Sequence, residues 1–502
     1  MPALTDVPVA PLPLDRFRSL LAPDLWAQVE EAQARSAELL AGRVVWNLNS
    51  TAYGGGVAEM LRSLIAYSRG AGVDARWLVV GGNPDFFRLT KRLHNRLHGH
   101  AGDGGPLGKA EHEIYDRTLQ AAAAELEELA RPGDIVLLHD PQTAGLVPAL
   151  PDGIPVVWRS HIGRDAPNAY AQEAWAFLLA YIRPADGWIF SRPDYVPPGL
   201  DPARVTIIAP SVDAFSPKNQ ELDPDAVAAI LTTAGLIAGT GGGVPSFTRH
   251  DGTPGRVDRV ADLFGGAPVP TGVPLVTQVS RWDRLKDPLG VLQGFVTHVA
   301  ATSDAHLMLA GPAVGAISDD PEGADTLAEV RRAWRALPTA TRGRVHLAGL
   351  PMNDAEENAA MVNALQRAST IVVQKSLAEG FGLTVAEAMW KARPVVASAV
   401  GGIQDQMEDG VSGVLVHDPS DLAEFGRAVG DLLADPVRAG VLGLAGRERV
   451  REHFLSARHL IKYVRLFERL VGAGPTRVQI RRPGGEYSRM QPVVADARLE
   501  AP

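Results

Sequence analysis

Short apolar runs alternate with longer helical stretches along most of this chain. In the first half the runs are RVVWNLNS (43–50), ARWLVVGG (75–82), DIVLLHDP (134–141), PVVWRSHIG (155–163), DGWIFSRP (186–193) and RVTIIAPSVD (204–213). They are rich in Val, Ile and Trp and end in polar, Gly or Pro residues. Between several of them lie segments with helical spacing, such as VAEMLRSLIAYSRGAG and RTLQAAAAELEELA. Buried runs alternating with helices predict βαβ units and a parallel sheet. The pattern lapses after Phe215. Residues 219–273 include AGTGGGVPSFTRHDGTPG, a Gly/Thr/Pro-rich stretch that reads as a mobile linker or insertion. It resumes at PLVTQVS (274–280), HLMLAGP (306–312), RVHLAGL (344–350), STIVVQKS (369–376), RPVVASAVGG (393–402) and SGVLVHDP (412–419). The expected fold is therefore α/β with two sheets and a hinge. The domains are predicted at 1–215 and 273–451, with a linker or insertion at 216–272. The Pro/Gly/Arg-rich tail, 473–502, reads as loose or as an interaction arm.

Composition sharpens this picture. At 502 residues the chain exceeds one ordinary core, which agrees with two domains. Apolar residues make up 46% and charged residues 21%, a soluble globular balance. A net charge of -9 argues against an extended nucleic-acid or anionic-membrane surface. The absence of cysteine removes disulfides, zinc-thiolate sites and thiol nucleophiles together. No basic segment followed by an apolar run opens the chain, and no window approaches ~18 uninterrupted apolar residues. The expectation is a cytoplasmic protein without a membrane span.

In open parallel sheets ligands sit at the carboxyl ends of the strands, and those ends carry the unusual residues here. NSTAYGGGVAEM (49–60) places Gly54 to Gly56 before a helix, where bare amides can approach an anion. It is neither G-x-G-x-x-G nor a Walker A. SRWDRLKDP (280–288) puts Arg281 and Lys286 on one loop, a pair suited to a diphosphate. QKSLAEGFGLTVAEAMWKARPVVAS (374–398) joins a strand, a turn holding Glu379, and a helix holding Glu387. The helix's first-turn amides near Leu383, Thr384 and Val385 can take a phosphate. Each carboxylate can accept from a pair of hydroxyls, one on a sugar and one on a ribose. HDPQTAG (139–145) and WRSHIGRDAPN (158–168) gather His139, Asp140, Gln142, Arg159, His161 and Arg164. Each feature also has a plain reading: a tight turn, solvated loop cations, a carboxylate favoured near a helix start, structural histidines. The basic amphipathic stretch FFRLTKRLHNRLHG (86–99) reads most simply as a solvated helix face. No HExxH, EF-hand loop, clustered metal ligand set or G-x-S-x-G elbow is visible.

As a set, E-x7-E from Glu379 to Glu387, the RWDRLKDP loop and the Gly-rich loop after the first strand resemble the retaining GT-B glycosyltransferases of family 4. The resemblance covers roughly residues 40–470. NSTAYGGGVAEML, HDPQ, WRSHIG and QVSRWDRLKDP look closest to the trehalose glycosyltransferring synthases, with trehalose phosphorylases as near relatives. It implies a GT-B fold, two Rossmann-like domains facing across a cleft. The first would bind the acceptor and the second the nucleotide sugar, and a helix at about 452–472 would return to the first. It implies that glucose moves from a nucleoside-diphosphate glucose to free glucose, reversibly, giving α,α-trehalose.

By the same resemblance Glu379 would hold the transferred glucose and Glu387 the ribose. Arg281 and Lys286 would neutralise the diphosphate, with Gly380, Phe381, Gly382, Leu383 and Thr384 assisting. Gly349 and Leu350 would border the base, and Gly55 and Gly56 would close on the phosphates. His161 would sit near the sugar, with Tyr53, Asp140, Gln142 and Arg159 around the acceptor. Arg281, Lys286, Glu379 and His161 are the expected catalytic set. No metal and no tightly bound cofactor is expected, although free Mg²⁺ can assist. ADP-, UDP- and GDP-glucose remain open as donors, and a homodimer is the expected assembly. A phosphorylase using α-glucose 1-phosphate, a family 4 transferase with another acceptor, and a non-catalytic nucleotide-sugar sensor are the alternatives.

Overall fold

The computed structural model describes residues 3–52, 56–239, 242–313 and 321–473. Each of the twelve apolar runs contributes a strand, six to each of two sheets. In the first sheet Val44–Asn49 lies between Asp74–Val80 and Ile135–His139, followed by Val156–Ser160, Gly187–Phe190 and Val205–Ile207, all parallel. In the second, Leu275–Val279 lies between His306–Pro312 and Ile371–Gln374. Val345–Leu350 extends one side, and Val395–Ser398 and Val414–Val416 the other. Strands with helices on both faces are buried at every position, as at Ile135–His139 and Val156–Ser160. In each sheet the order reverses at the first parallel strand, and the crevice there is where such folds bind ligands.

Two antiparallel edge strands were not legible in the sequence: Leu4–Asp6 against Asp74–Val80, and Asp262–Leu263 against Val345–Leu350. The second arises from the stretch read as a mobile linker. That stretch instead holds the helix Pro224–Thr233 and a hairpin of Ser246–Thr248 with Pro254–Arg256. Ile230, Leu236, Phe247 and Val257 share a core with Met361 and Leu365 of the helix Ala355–Ala368. Each buried side chain of this size contributes ~1.5–3 kcal/mol, enough to hold the stretch against the second domain. Its glycines serve turns, since Gly235, Gly252 and Gly265 have φ of 70°, 84° and 87°.

The chain crosses between the halves twice, side by side. Val212 N–H donates to the Phe454 carbonyl (2.7 Å) and Ser456 N–H to the Val212 carbonyl (3.0 Å). The helix Ala457–Ala473 then returns to the first half, as the resemblance implied. There Tyr463, Leu466 and Phe467 complete the core that contains Ile65, Trp77 and Ile189. Residues 474–502, almost all of the tail, lie outside the described residues. No helix among the described residues is long and apolar enough to cross a membrane.

Candidate active site

Lys286 sits on the loop after Leu275–Val279, the strand at the second sheet's reversal point. Its loop is shaped by Asp283, whose carboxylate accepts from Leu285 N–H (2.8 Å), and by Gln278, which donates to the Lys286 carbonyl (2.7 Å). Lys286 Nζ reaches both oxygens of Glu379, each at 2.5 Å. Ser376 Oγ donates to the same carboxylate (3.2 Å). Glu379 is 9% exposed and so is held by two partners rather than by water. Arg281 lies beside them, paired with Asp283 at 3.2 Å and 46% exposed.

The turn after Glu379 needs its glycines. Gly382 has φ of 84° and starts the helix Leu383–Trp390. Val385 N–H donates to the Gly382 carbonyl (2.9 Å), so the amides left for an anion narrow to the first part of the turn, Gly382 to Thr384. A Cβ at Gly380 would stand 2.9 Å from the His161 carbonyl of the other half. A Cβ at Gly56, which opens the helix Gly56–Gly70, would stand 2.7 Å from Leu383. The two halves therefore meet here, Gly56 and His161 of the first against Leu383 and Gly380 of the second. Gly54, Gly55 and Tyr53 lie outside the described residues.

Glu387 lies deeper, 5% exposed, and burial pushes its carboxyl upward. Lys218, on the connection between the halves, spans Glu387 (3.8 Å) and Glu59 of the first half (2.6 Å). Despite the burial cost, those two carboxylates hold its ammonium above the ordinary value. Lys391, one turn along, donates to Asn219 (2.9 Å) and to the Glu387 carbonyl (3.1 Å); burial pulls it down to about 7. Gly349 and Leu350 end the strand Val345–Leu350 nearby. A Cβ at Gly349 would stand 2.9 Å from Phe264, and the Leu350 carbonyl accepts from Ala313 (2.8 Å).

The first half supplies a different chemistry. His139 Nδ1 and His161 Nε2 share a hydrogen bond of 3.1 Å, and the rings stack 5.4 Å apart. Desolvation, then the Arg159 charge, hold both imidazoles well below their ordinary value, so they are neutral. Asp140 takes the left-handed region at φ 64° and accepts from His161 N–H (2.8 Å). Desolvation pushes its carboxyl up to about 7. Gln142 is half-buried in the turn that follows. Arg159, expected around the acceptor, is placed elsewhere. It is fully buried and donates to the Tyr463 hydroxyl and to the Ile208 carbonyl (3.2 Å). Strand alternation turns it away from Trp158, onto the face covered by the returning helix.

The family described as "Trehalose synthase, N-terminal domain" matches residues 47–197, and "Glycosyl transferases group 1" matches residues 274–435. The trehalose synthase of Rubrobacter xylanophilus is 35% identical over 460 residues, 91% of this chain and 96% of that protein. This chain belongs to the trehalose synthase family of glycosyltransferases. A trehalose phosphorylase of Grifola frondosa is more distant, 27% identical over 84% of this chain and 56% of that protein. Among solved structures, an α,α-trehalose-phosphate synthase (UDP-forming) from Burkholderia vietnamiensis superimposes with a TM-score of 0.60 at 16% identity. It covers 86% of this chain and 100% of that one, a likeness that concerns the fold.

The sequence reading missed the residues that tie the halves together. Tyr195 donates its hydroxyl to the carbonyls of Glu379 (3.0 Å) and Gly380 (2.7 Å). Arg192 pairs with Asp165 (2.8 Å) and, across the cleft, with Asp405 (3.4 Å), and donates to the Gly401 carbonyl (2.5 Å). Lys218 bridges Glu59 and Glu387 in the same way. None of these ties between the halves has a local signal, because each partner across the cleft lies more than a hundred residues away in sequence. No cluster of three or more His, Asp or Glu able to hold a metal occurs among the described residues.

Proposed function

We propose that this enzyme transfers glucose from a nucleoside-diphosphate glucose to free glucose, with retention at the anomeric carbon, forming α,α-trehalose. The observation that carries this reading is the Lys286–Glu379 pair at the mouth of the helix Leu383–Trp390, covered by Gly56 and His161 from the other half. The pair offers a carboxylate to sugar hydroxyls and an ammonium to phosphate within one enclosed crevice. On this reading Lys286, Arg281 and the amides of Gly382 to Thr384 stabilise the negative charge that builds on the departing diphosphate. The backbone of Gly380 and Phe381 completes the wall around the hexose. Glu387 accepts from the ribose hydroxyls, and Gly349 and Leu350 border the base. Gly55 and Gly56 close over the phosphates.

The acceptor glucose lies against His161, Asp140, Gln142 and Tyr53. Its anomeric hydroxyl attacks the glucosyl carbon on the face that the diphosphate leaves. The C–O bond to phosphate breaks as the new C–O bond forms, and the departing phosphate oxygen takes the hydroxyl proton. No protein nucleophile takes part. Neutral imidazoles suit this site, because a hexose is uncharged and needs a donor and an acceptor rather than a cation.

Incubation with ADP-, UDP- or GDP-glucose plus glucose, followed by identification of the disaccharide by NMR, tests the reading. We expect α,α-trehalose and free nucleoside diphosphate. Trehalose formed only from α-glucose 1-phosphate plus glucose would replace the donor assignment with the phosphorylase reading, in which the same cations hold inorganic phosphate. Nucleotide-sugar binding without any transfer would replace it with a sensor.

A further inference from the structure

The basic stretch 86–99 does not face only solvent. It forms the helix Pro84–Leu97, capped at its start by Asn83. Arg92 and Arg96 are structural: Arg92 pairs with Asp103, and Arg96 with Glu173 (2.6 Å) and the Gly105 carbonyl (2.6 Å). His98 directly follows the helix. Its carbonyl accepts from Arg164 (3.2 Å), and the Gly99 carbonyl accepts from Asn168 Nδ2 (2.8 Å). The backbone there is thus clamped from both sides, and Gly99 turns the chain with φ of 88°.

The His98 ring lies against the turn that carries Glu379 and Gly380. It is 8% exposed, and its Nδ1 is buried without a hydrogen-bond partner among the described residues. Its Cε1, the carbon between the two ring nitrogens, stands 3.9 Å from where a Cβ of Gly380 would be. Gly380 is the neighbour of Glu379. Burial, followed by the charge of Lys286, holds the imidazole down at about 3, with Asp283 acting in the opposite sense. The ring is therefore neutral at working pH, one nitrogen a donor and one an acceptor. An orphaned polar nitrogen in such a place costs ~1–3 kcal/mol unless a ligand satisfies it.

We propose that His98, from the first half, hydrogen-bonds to a hydroxyl of the hexose held by Glu379 in the second half, and so helps to decide which sugar is transferred. This rests on the proposed donor assignment and deepens it. A hexose seated on Glu379 without His98 would find that hydroxyl unpaired, so the contact forms only when the halves are together. His98 is then a reader of the donor sugar located outside the donor domain.

The test uses binding as well as turnover. With the best-bound of ADP-, UDP- and GDP-glucose, calorimetry compares wild type and His98→Ala for the nucleotide sugar, its free nucleoside diphosphate, and donors lacking one hydroxyl at a time. We expect His98→Ala to weaken the glucose donor about 10–100-fold and the free nucleoside diphosphate less than threefold. One deoxy donor should bind wild type and variant alike, and that donor identifies the hydroxyl. His98→Asn, which retains a polar group near Nδ1, should recover part of the preference and serves if the alanine variant does not fold. Equal losses for every donor, or none, would overturn the proposal. Because the readout is donor binding, it is independent of acceptor identity. Failure of trehalose formation by the wild type would instead reject the acceptor assignment.

Discussion

The two halves face the same crevice with opposite electrostatic strategies. The second half meets it with ion pairs, Lys286 with Glu379 and Arg281 with Asp283, and Lys218 on the connection reaches Glu387. The first half buries ionisable groups and lets burial neutralise them. His139, His161 and His98 are held below their ordinary values, and Asp140 is pushed up to about 7. On the proposed function, the difference follows from the ligand each half takes. Anionic phosphate rewards fixed cations, which buried carboxylates must balance while the site is empty. A neutral hexose rewards uncharged hydrogen-bonding groups, for which desolvation is the largest influence on the state.

The strongest way to break this contrast is to remove a charge from the paired side. Lys286→Ala should lower turnover by ~10²–10³. It also leaves Glu379 buried without its counter-ion and so should lower Tm. Adding Glu379→Gln should restore Tm but not activity. A single variant with near-normal turnover would end the phosphate assignment of Lys286. Next in size, if Glu387 holds the ribose, Glu387→Gln should raise KM for the nucleotide sugar about tenfold with a smaller change in kcat. A loss confined to kcat would move Glu387 out of the binding site.

Arg192→Ala probes the seam between the halves, where Asp165 and Asp405 would lose a shared partner. Steady-state assays should show kcat falling about three- to tenfold, with nucleoside-diphosphate affinity nearly unchanged. Unchanged kcat would mean that the seam does not limit closure.

The smallest effect concerns the neutral side. Asp140 has a folded-state pKa of about 7, above the ordinary carboxylate value. The native state then binds more protons than the unfolded chain between about pH 4 and 7, and this group lowers stability as pH rises through that window. Asp140→Asn removes that term and suits the left-handed backbone at φ 64°. Its Tm relative to wild type should climb by a few degrees between pH 4 and 7 in a thermal melt. A pH-independent difference would mean that Asp140 is charged in the folded state.

Most of the fold was legible because buried parallel strands are continuous apolar runs, and every run became a strand. The meeting of Lys286 with the Glu379 turn was legible because glycine, cations and carboxylates cluster at strand ends. Side-chain direction was harder. Arg159 looks like Asp140 or His161 in a list of polar residues, yet strand alternation turns it onto the returning helix. The stretch 219–273 looked mobile because turn residues dominate its composition, while its few apolar positions, Leu236, Phe247 and Val257, do the packing. Lys218, Tyr195 and Arg192 tie the halves through partners that are distant in sequence, so no window around them shows the tie.

The return of Ala457–Ala473 to the first core has a consequence for synthesis. A ribosome emits the first half early, but the residues that seal its sheet, Tyr463, Leu466 and Phe467, emerge among the last. The second half, encoded within 219–451, can finish folding while its predecessor still waits for a lid. Nascent chains halted before residue 457 should therefore expose an open apolar face on the earlier-made half, a place where a chaperone has reason to hold on.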